Sequence, residues 1–251
     1  MTRRVPLRPG KRHGAAAGSG TPGEPSRALT SRVESARGRR SSSTRWLSRQ
    51  LNDPYVQAAQ QQGYRSRAAF KLLEIDDRLR LLRPGLRVVD LGAAPGGWTQ
   101  VAVQRVAAQQ RGAGRAGGCV VAVDFRAMAA VPGAIHLEAD ITAEDTPARI
   151  ADALGGGAHL VLSDMAPDMM GEATTDHLRS MALGEAALDL AMAILAPGGG
   201  FVAKLLQGRD LPPFVTRLRA HFSAVRQMKP PASRVDSSEV YVVATGLRRP
   251  Q

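Results

Sequence analysis

The chain has 251 residues, enough for one domain with a substantial hydrophobic core, and it carries a formal net charge of +12. No apolar run approaches the roughly 18 residues that cross a bilayer, and the N-terminus lacks an apolar h-region, so neither a membrane span nor a secretory signal is expected. The single cysteine, Cys119, cannot form an internal disulfide and suits a reducing compartment. We therefore expect a cytoplasmic protein.

The positive charge is concentrated at the N-terminus. Residues 1–50 contain 12 Lys and Arg against two acids, which is +10, so the other 201 residues carry the remaining +2. Residues 1–43 lack periodic apolar positions and are predicted to be a disordered tail, whereas residues 44–251 are predicted to form one catalytic domain. A basic tail favours contact with nucleic acid; a purely solubilising tail and an organellar, for example mitochondrial, transit peptide are the alternatives.

In chain order, one or two short helices are predicted after Thr44, with a break near Asn52–Pro54, and a longer helix over "SRAAFKLLEIDDRLRLL" ends at Arg83–Gly85. Strand-like and helical segments then alternate, which predicts an α/β fold with a mostly parallel, doubly wound sheet of about seven strands and helices on both faces. The run at 222–230 and the last strand have no helix between them, so they should pair antiparallel at one edge. The predicted strands are 86–92, 119–124, 134–140, 159–164, 199–206 and 237–246, and the predicted helices are 98–110, 146–154, 176–195 and 212–222.

The glycine-rich stretch "VVDLGAAPGGWTQV", Val88–Val101, follows the first of these strands. It lacks the lysine of a phosphate-binding P-loop and the second glycine of a dinucleotide fingerprint. Four strands end in an acid, and ligands of open α/β sheets bind at the carboxyl ends of strands. An acid-rimmed cleft suits a ligand with hydroxyls and positive charge, as in S-adenosylmethionine. A tight turn with capping aspartates is the alternative. The four acids are Asp90, Asp124, Asp140 and Asp164.

Lysine is rare here, because only four of the 34 basic residues are Lys. An amine can lose its proton when it is buried, whereas Arg stays charged, so Lys204 inside an apolar strand and Lys71 in a helix are candidates for chemistry. The alternatives are a structural ion pair for Lys204 and an exposed helical position for Lys71. In a methyltransferase fold, Asp164 and Lys204 would meet across the cleft. The five histidines show no metal-ligand spacing, so no metal is expected.

Five motifs together resemble the FtsJ/RrmJ (RlmE) family of ribosomal RNA ribose 2′-O-methyltransferases, in order from about Leu51 to Gly246. They are "RSRAAFKLLEID", "VVDLGAAPGGWTQ", "LVLSDMAPDMMG", "LAPGGGFVAKLLQG" and "SSEVYVVATG". The resemblance implies a Rossmann-like fold, S-adenosylmethionine as co-substrate, and a uridine ribose in the A-loop of large-subunit (23S-type) rRNA, with the assembled 50S subunit as partner. It also implies a catalytic tetrad of Lys71, Asp164, Lys204 and Glu239, and cofactor contacts at Gly96, Trp98, Asp124, Asp140 and Asp164.

Two features depart from the family pattern: Asp168 stands where Asn is expected, and the N-terminal tail is longer than the short leader of the bacterial enzyme. A monomer is expected, with Lys204 as the base or orienting group for the attacking 2′-oxygen and Glu239 orienting Lys71 or the ribose. The alternatives are the same chemistry on tRNA or another RNA, an organellar version, a non-catalytic ribosome-assembly factor, and a nicotinamide-dependent oxidoreductase on the same architecture.

Overall fold

The computed structural model describes residues 52–107 and 118–248. The basic tail at 1–43, any helix before residue 52 and the last three residues of the helix predicted over 98–110 lie outside this range. The helices are α1 (Pro54–Gln61), α2 (Ala68–Leu79), α3 (Gly97–Ala107), α4 (Thr146–Leu154), α5 (Ala173–Ile194) and α6 (Leu211–His221). The strands are β1 (Arg87–Leu91), β2 (Cys119–Asp124), β3 (Ala134–Glu138), β4 (Ala158–Ser163), β5 (Leu195–Leu206), β6 (Phe222–Met228) and β7 (Glu239–Leu247).

The seven strands form one sheet in the order β3-β2-β1-β4-β5-β7-β6. The first five in that order run parallel, whereas β7 is antiparallel to both β5 and β6. This arrangement confirms the predicted α/β architecture and the antiparallel edge.

Two element boundaries differ from the sequence-based expectation for local reasons. Helix α2 ends at Leu79, before the predicted stop, because Arg80 adopts a left-handed conformation (φ 54°) and the buried Asp76 carboxylate accepts from the Leu82 amide at 2.7 Å. Strand β5 begins at Leu195, earlier than predicted, and shifts register before residue 200, where Gly198 has a φ of 81°.

Two hydrophobic clusters cover the two faces of the sheet, as predicted. Helices α2 and α3 pack on one face, and α4, α5 and α6 pack on the other. Leu162 on β4, Val202 on β5 and Tyr241 on β7 belong to the cluster under α2 and α3. Since side chains along a strand alternate between faces, positions two residues away share that face at the same rim. Those positions are Asp164, Lys204 and Glu239.

Candidate active site

Lys204 and Asp164 lie together where β4 and β5 end. Ser163 pairs with Ala203 in the parallel ladder, which places the next residue of each strand side by side. The Lys204 ammonium Nζ lies 3.1 Å from Asp164 Oδ1 and donates to the main-chain oxygen of Asp164 at 2.7 Å. The Lys204 side chain is only 9% exposed. Nζ therefore makes both a hydrogen bond and an ion pair with one residue, and it retains hydrogen-bonding capacity for another group.

Lys71 and Glu239 form a second ion pair. Lys71 is the fourth residue of α2, and its Nζ donates to Glu239 Oε2 at 2.8 Å. Lys71 is 7% exposed, which does not fit the alternative of an exposed helical position. A buried ammonium requires a partner, and the first residue of β7 supplies it. The expectation that Glu239 orients Lys71 matches this geometry.

Tyr241 connects the two ion pairs, and the motif reasoning did not identify it. It is fully buried, lies directly opposite Lys204 in the β5–β7 ladder, and its hydroxyl donates to Asp164 Oδ1 at 2.7 Å. Its ring lies 5.6 Å from Lys71 Nζ. Burial, and next the charge of Asp164, raise the pKa of Tyr241 well above its usual value, so the hydroxyl remains a donor.

A cavity of about 560 Å³ adjoins this group at the carboxyl ends of β1, β2 and β4. This volume lies within the range of small-molecule sites, roughly 300–1,000 Å³. Three of the predicted carboxylates line it together: Asp124, Asp140 and Asp164. Because Asp164 also contacts Lys204, the cavity and the lysine share a residue. Apolar surface in the lining comes from Phe125, which is 68% exposed, and from Ile141.

Main-chain amides hold two of the cavity aspartates: Asp124, the last residue of β2, and Asp140, two residues after β3. Asp124 Oδ2 accepts from the Ala94 amide and Oδ1 from the Arg126 amide, both at 2.9 Å. Asp140 Oδ1 accepts from the amide and the hydroxyl of Thr142 at 2.9 and 2.7 Å, and these bonds lower the pKa of Asp140. Each carboxylate is thus fixed while retaining acceptor capacity, so both fit a ligand that presents hydroxyl or amino donors.

Gly92 and Met165 bring the glycine-rich loop against the segment that follows β4. Gly92 has a φ of 67°, and a Cβ atom there would collide with the Met165 side chain. Both residues line the cavity. The close approach explains why this position of the loop requires glycine.

Gly96 and Trp98 are not among the residues that line this cavity. Trp98 is 3% exposed, its ring lies 5.8 Å from that of Tyr241, and its Nε1 donates to the Ala68 carbonyl at 2.8 Å. The indole is therefore part of the core under α2. Next to Gly96, the Arg65 guanidinium donates to the Pro95 carbonyl at 3.1 Å and holds the turn. A cofactor contact at Gly96 or Trp98 stays a prediction, and it would have to involve the backbone at Trp98.

Asp90 does not lie on the rim, although it was predicted to do so with the other three acids. It precedes the last residue of β1, is 1% exposed, and accepts from the Thr99 hydroxyl at 2.6 Å. Burial raises the pKa of Asp90 to about 7, and the charges of Asp164 and Asp124 add to the shift. Asp90 therefore braces the start of α3 beneath the glycine-rich loop.

A second cavity, of about 400 Å³, lies beside the Lys71–Glu239 pair. Arg67 and Arg234 line it together with both members of the pair.

Within 52–107 and 118–248, no helix is both long and apolar enough to span a membrane.

The sheet has seven strands, and a carboxylate-lined cavity lies where the strand order reverses, between β1 and β4. Lys–Asp and Lys–Glu pairs lie on the same rim. Together these features define a Rossmann-like methyltransferase. Comparison with known proteins agrees: the family description "FtsJ-like methyltransferase" matches residues 64–247. The chain belongs to this family of methyltransferases.

Individual relatives cover nearly the whole chain. It is 53% identical over 238 residues to a protein named ribosomal RNA large subunit methyltransferase E from Paramagnetospirillum magneticum, covering 95% of this chain and 96% of that protein. A protein of the same name from Parvibaculum lavamentivorans is 52% identical, covering 95% and 94%. Most of residues 1–43 therefore have counterparts in these relatives, so the long tail is shared with them.

Among solved structures, a ribosomal RNA methyltransferase from Plasmodium falciparum superposes with a TM-score of 0.65 at 25% identity, covering 73% of this chain and 98% of that one. The Rossmann-like fold implied by the sequence resemblance is confirmed.

Proposed function

We propose that this protein transfers a methyl group from S-adenosylmethionine to the 2′-hydroxyl of a uridine in the A-loop of large-subunit rRNA, on the assembled 50S subunit. The contact between Lys204 and Asp164 at the edge of the cofactor cavity carries the proposal. The names of the two bacterial relatives support large-subunit rRNA as the substrate. The bacterial origin of these relatives also supports a cytoplasmic location.

The residues of the larger cavity suit the co-substrate. Asp124 would accept from the ribose hydroxyls, Asp140 from the adenine amino group, and the apolar Phe125 and Ile141 surfaces would contact the ring. When bound, S-adenosylmethionine supplies an electrophilic methyl group on a sulfonium. The nearby carboxylate of Asp164 suits a ligand of positive charge.

Lys204 would act on the ribose that receives the methyl group. A 2′-hydroxyl is a weak nucleophile at neutral pH, so its proton must be removed as the new C–O bond forms; the bond between the methyl carbon and sulfur would break in the same step, with S-adenosylhomocysteine as the leaving group. As a neutral amine, Lys204 would direct its two N–H groups to Asp164 and its lone pair to the 2′-hydroxyl proton; as an ammonium, it would orient the oxygen with its third N–H. In both cases Asp164 fixes the direction of the free position, and the proton finally passes to solvent.

The second cavity suits the RNA strand. Arg67 and Arg234 can contact a phosphodiester, and Glu239 holds Lys71 in the same wall. The basic tail would add contacts with RNA that do not depend on sequence.

Labelled methyl transfer tests the proposal directly. The purified chain would be incubated with radiolabelled S-adenosylmethionine and, separately, with undermethylated 50S subunits, free rRNA and tRNA, and the modified ribose would be mapped. We expect transfer to one A-loop uridine on subunits and none by a Lys204→Ala variant. Transfer to tRNA alone would support the other-RNA alternative, and saturable subunit binding without transfer would support an assembly factor.

A further inference from the structure

Two exposed apolar loop tips lie on either side of the paired strands that carry the active site. Met169 and Met170 are 61% and 65% exposed, and Val235 is 97% exposed. Single exposed apolar residues are common on protein surfaces, but neighbouring ones beside a catalytic site indicate a contact surface. We call residues 169–170 the methionine tip and Val235 the valine tip.

The methionine tip is held in place by a buried carboxylate. The amides of Met170 and Gly171 donate to the two oxygens of Asp176 at 2.7 and 3.0 Å, and Asp176 is 3% exposed. The next residue on α5, His177, contacts the Leu206 carbonyl at 3.1 Å through Nδ1. Because Leu206 lies two residues beyond Lys204 on β5, the position of the methionine tip is coupled to that of the catalytic strand.

The valine tip belongs to an equally well-braced loop between β6 and β7. Lys229 Nζ donates to the carbonyls of Val235 and Ser237 at 3.1 and 2.5 Å, so this lysine, one of only four in the chain, has a structural role. The Ala232 amide donates to Glu74 on α2 at 2.7 Å. The loop therefore holds its exposed valine in a defined position, although that side chain itself is almost fully accessible to solvent.

Both tips leave the sheet at the rim where Asp164 and Lys204 meet. The methionine tip follows the carboxyl end of β4, which is parallel to β5. The valine tip precedes Glu239, which lies opposite Leu206 at the same end of β5 because β7 is antiparallel. Both tips therefore belong to loops at the end of the sheet where a ribose has to approach Lys204.

We propose that the two tips contact the faces of unstacked nucleobases on either side of the target ribose. This inference rests on the proposed function. The tips carry no charge, so they suit the apolar face of a base and not a phosphate. Charged side chains of both signs stand beside the tips: Arg234 and Asp236 flank the valine tip, and Asp168 and Glu172 flank the methionine tip, where Arg179 donates to the Asp168 carbonyl at 3.3 Å. The arginines can contact phosphates, which leaves the uncharged tips for the bases of the same strand.

The target nucleotide has to be unstacked from its neighbours because Lys204 is buried. The Lys204 side chain is 9% exposed, so a ribose within a regular helix cannot approach it. Splaying the target nucleotide breaks base stacking, and apolar tips that replace the lost contacts would stabilise the splayed strand.

The first test measures methyl transfer onto 50S subunits by a triple variant, Met169→Gln, Met170→Gln and Val235→Thr. We expect KM for subunits to rise about tenfold, with kcat, the Kd for S-adenosylmethionine and Tm unchanged, as for loss of base contacts. A variant with Met169→Leu and Met170→Leu should retain the wild-type KM. The matched control is Ile135→Thr, because Ile135 is 42% exposed on β3 at the far edge of the sheet.

A second test identifies the partner of each tip. A benzophenone amino acid would replace Met170 or Val235, and the cross-linked site on the 50S subunit would be mapped after irradiation. We expect cross-links to nucleotides adjacent to the methylated ribose, and none of these from position 135. Cross-links to a ribosomal protein alone, or an unchanged KM in an active triple variant, would overturn this inference. Failure of the wild-type chain to methylate any RNA would instead overturn the proposed function.

Discussion

The hydroxyl of Tyr241 donates to Asp164 Oδ1 at 2.7 Å, and the same oxygen lies 3.1 Å from Lys204 Nζ. One carboxylate oxygen therefore contacts two side chains, Lys204 on β5 and Tyr241 on β7, and these two strands are neighbours in the sheet. Since burial keeps Tyr241 protonated, its donation to Asp164 persists across the working pH range. We therefore propose that Tyr241 is a positioning residue, which directs Asp164 as Asp164 directs Lys204.

Tyr241→Phe removes this donor while preserving the buried ring. We expect kcat to fall about tenfold, because a hydrogen bond to a charged group that aligns the base is lost, with the Kd for S-adenosylmethionine unchanged. Steady-state methyl transfer and calorimetric binding measure the two quantities. Tyr64→Phe is the matched control, because the Tyr64 hydroxyl donates to Gln104 in an exposed pair away from the site. A similar loss of kcat in both variants would contradict the positioning role.

Lys204→Ala and Asp164→Ala should each lower kcat by about 10³-fold. The first variant lacks the amine that acts on the ribose hydroxyl, and the second leaves that amine without the residue that orients it. Lys204→Arg should be equally inactive if Lys204 is a base, since Arg does not lose its proton. The readout is single-turnover transfer onto 50S subunits, with circular dichroism to show that the fold survives. An active Lys204→Arg chain would assign Lys204 a purely electrostatic role.

Residue rarity and the family resemblance together predicted much of this site. Lysines 71 and 204 stood out in an Arg-rich chain, Asp164 was expected beside Lys204 in a methyltransferase fold, and the resemblance added Glu239. Tyr241 was missed because an aromatic residue in an apolar strand is usually core. It is core here, but its hydroxyl is directed to Asp164. Its spacing of two from Glu239 indicates the shared face and could have identified it.

The positions of Asp90 and Trp98 could not be predicted from motifs alone. Both belong to the glycine-rich stretch, yet the Asp90 carboxylate accepts from Thr99 and the Trp98 indole packs against Tyr241. Burial depends on how α2 and α3 cover the sheet, which is a tertiary relationship. The two braced loops depend on contacts between residues as distant in sequence as Glu74 and Ala232.

Asp140→Asn tests the cofactor cavity at its most exposed carboxylate. The bonds from Thr142 hold Asp140 ionised, so the substitution removes a fixed charged acceptor. We expect the Kd for S-adenosylmethionine to rise about tenfold, with little change in stability. Isothermal calorimetry measures the Kd. Asp152→Asn, at an exposed position of α4 outside the cavity lining, is the control, and an equal effect there would contradict the assignment.

Deletion of residues 1–43 should weaken binding to 50S subunits and reduce its dependence on salt. The expectation follows from the net charge of +8 in residues 1–43, which hold ten Lys and Arg against two acids, and from counterion release on contact with phosphates. Binding would be measured over a series of salt concentrations for the full and shortened chains. Parallel salt slopes would favour a solubilising tail, and import of a tail–reporter fusion into an organelle would favour a transit peptide.

Asp90→Asn should make the free energy of unfolding less dependent on pH. Asp90 has a pKa of about 7 in the folded chain, against an ordinary value of 3.8. Between these values the folded state binds a proton that the unfolded state has released, so stability falls as pH rises through this window and is lowest above about pH 7.

Asparagine cannot ionise, and its side-chain oxygen can still accept from the Thr99 hydroxyl. Relative to the wild-type chain, Asp90→Asn should therefore gain stability on going from pH 5 to pH 8, by on the order of 2 kcal/mol. Urea denaturation of both chains at the two pH values gives the difference, in which the other titrating groups cancel. A stability difference that stays constant across this range would show that Asp90 is ionised in the folded protein at pH 5, despite its burial beneath the glycine-rich loop.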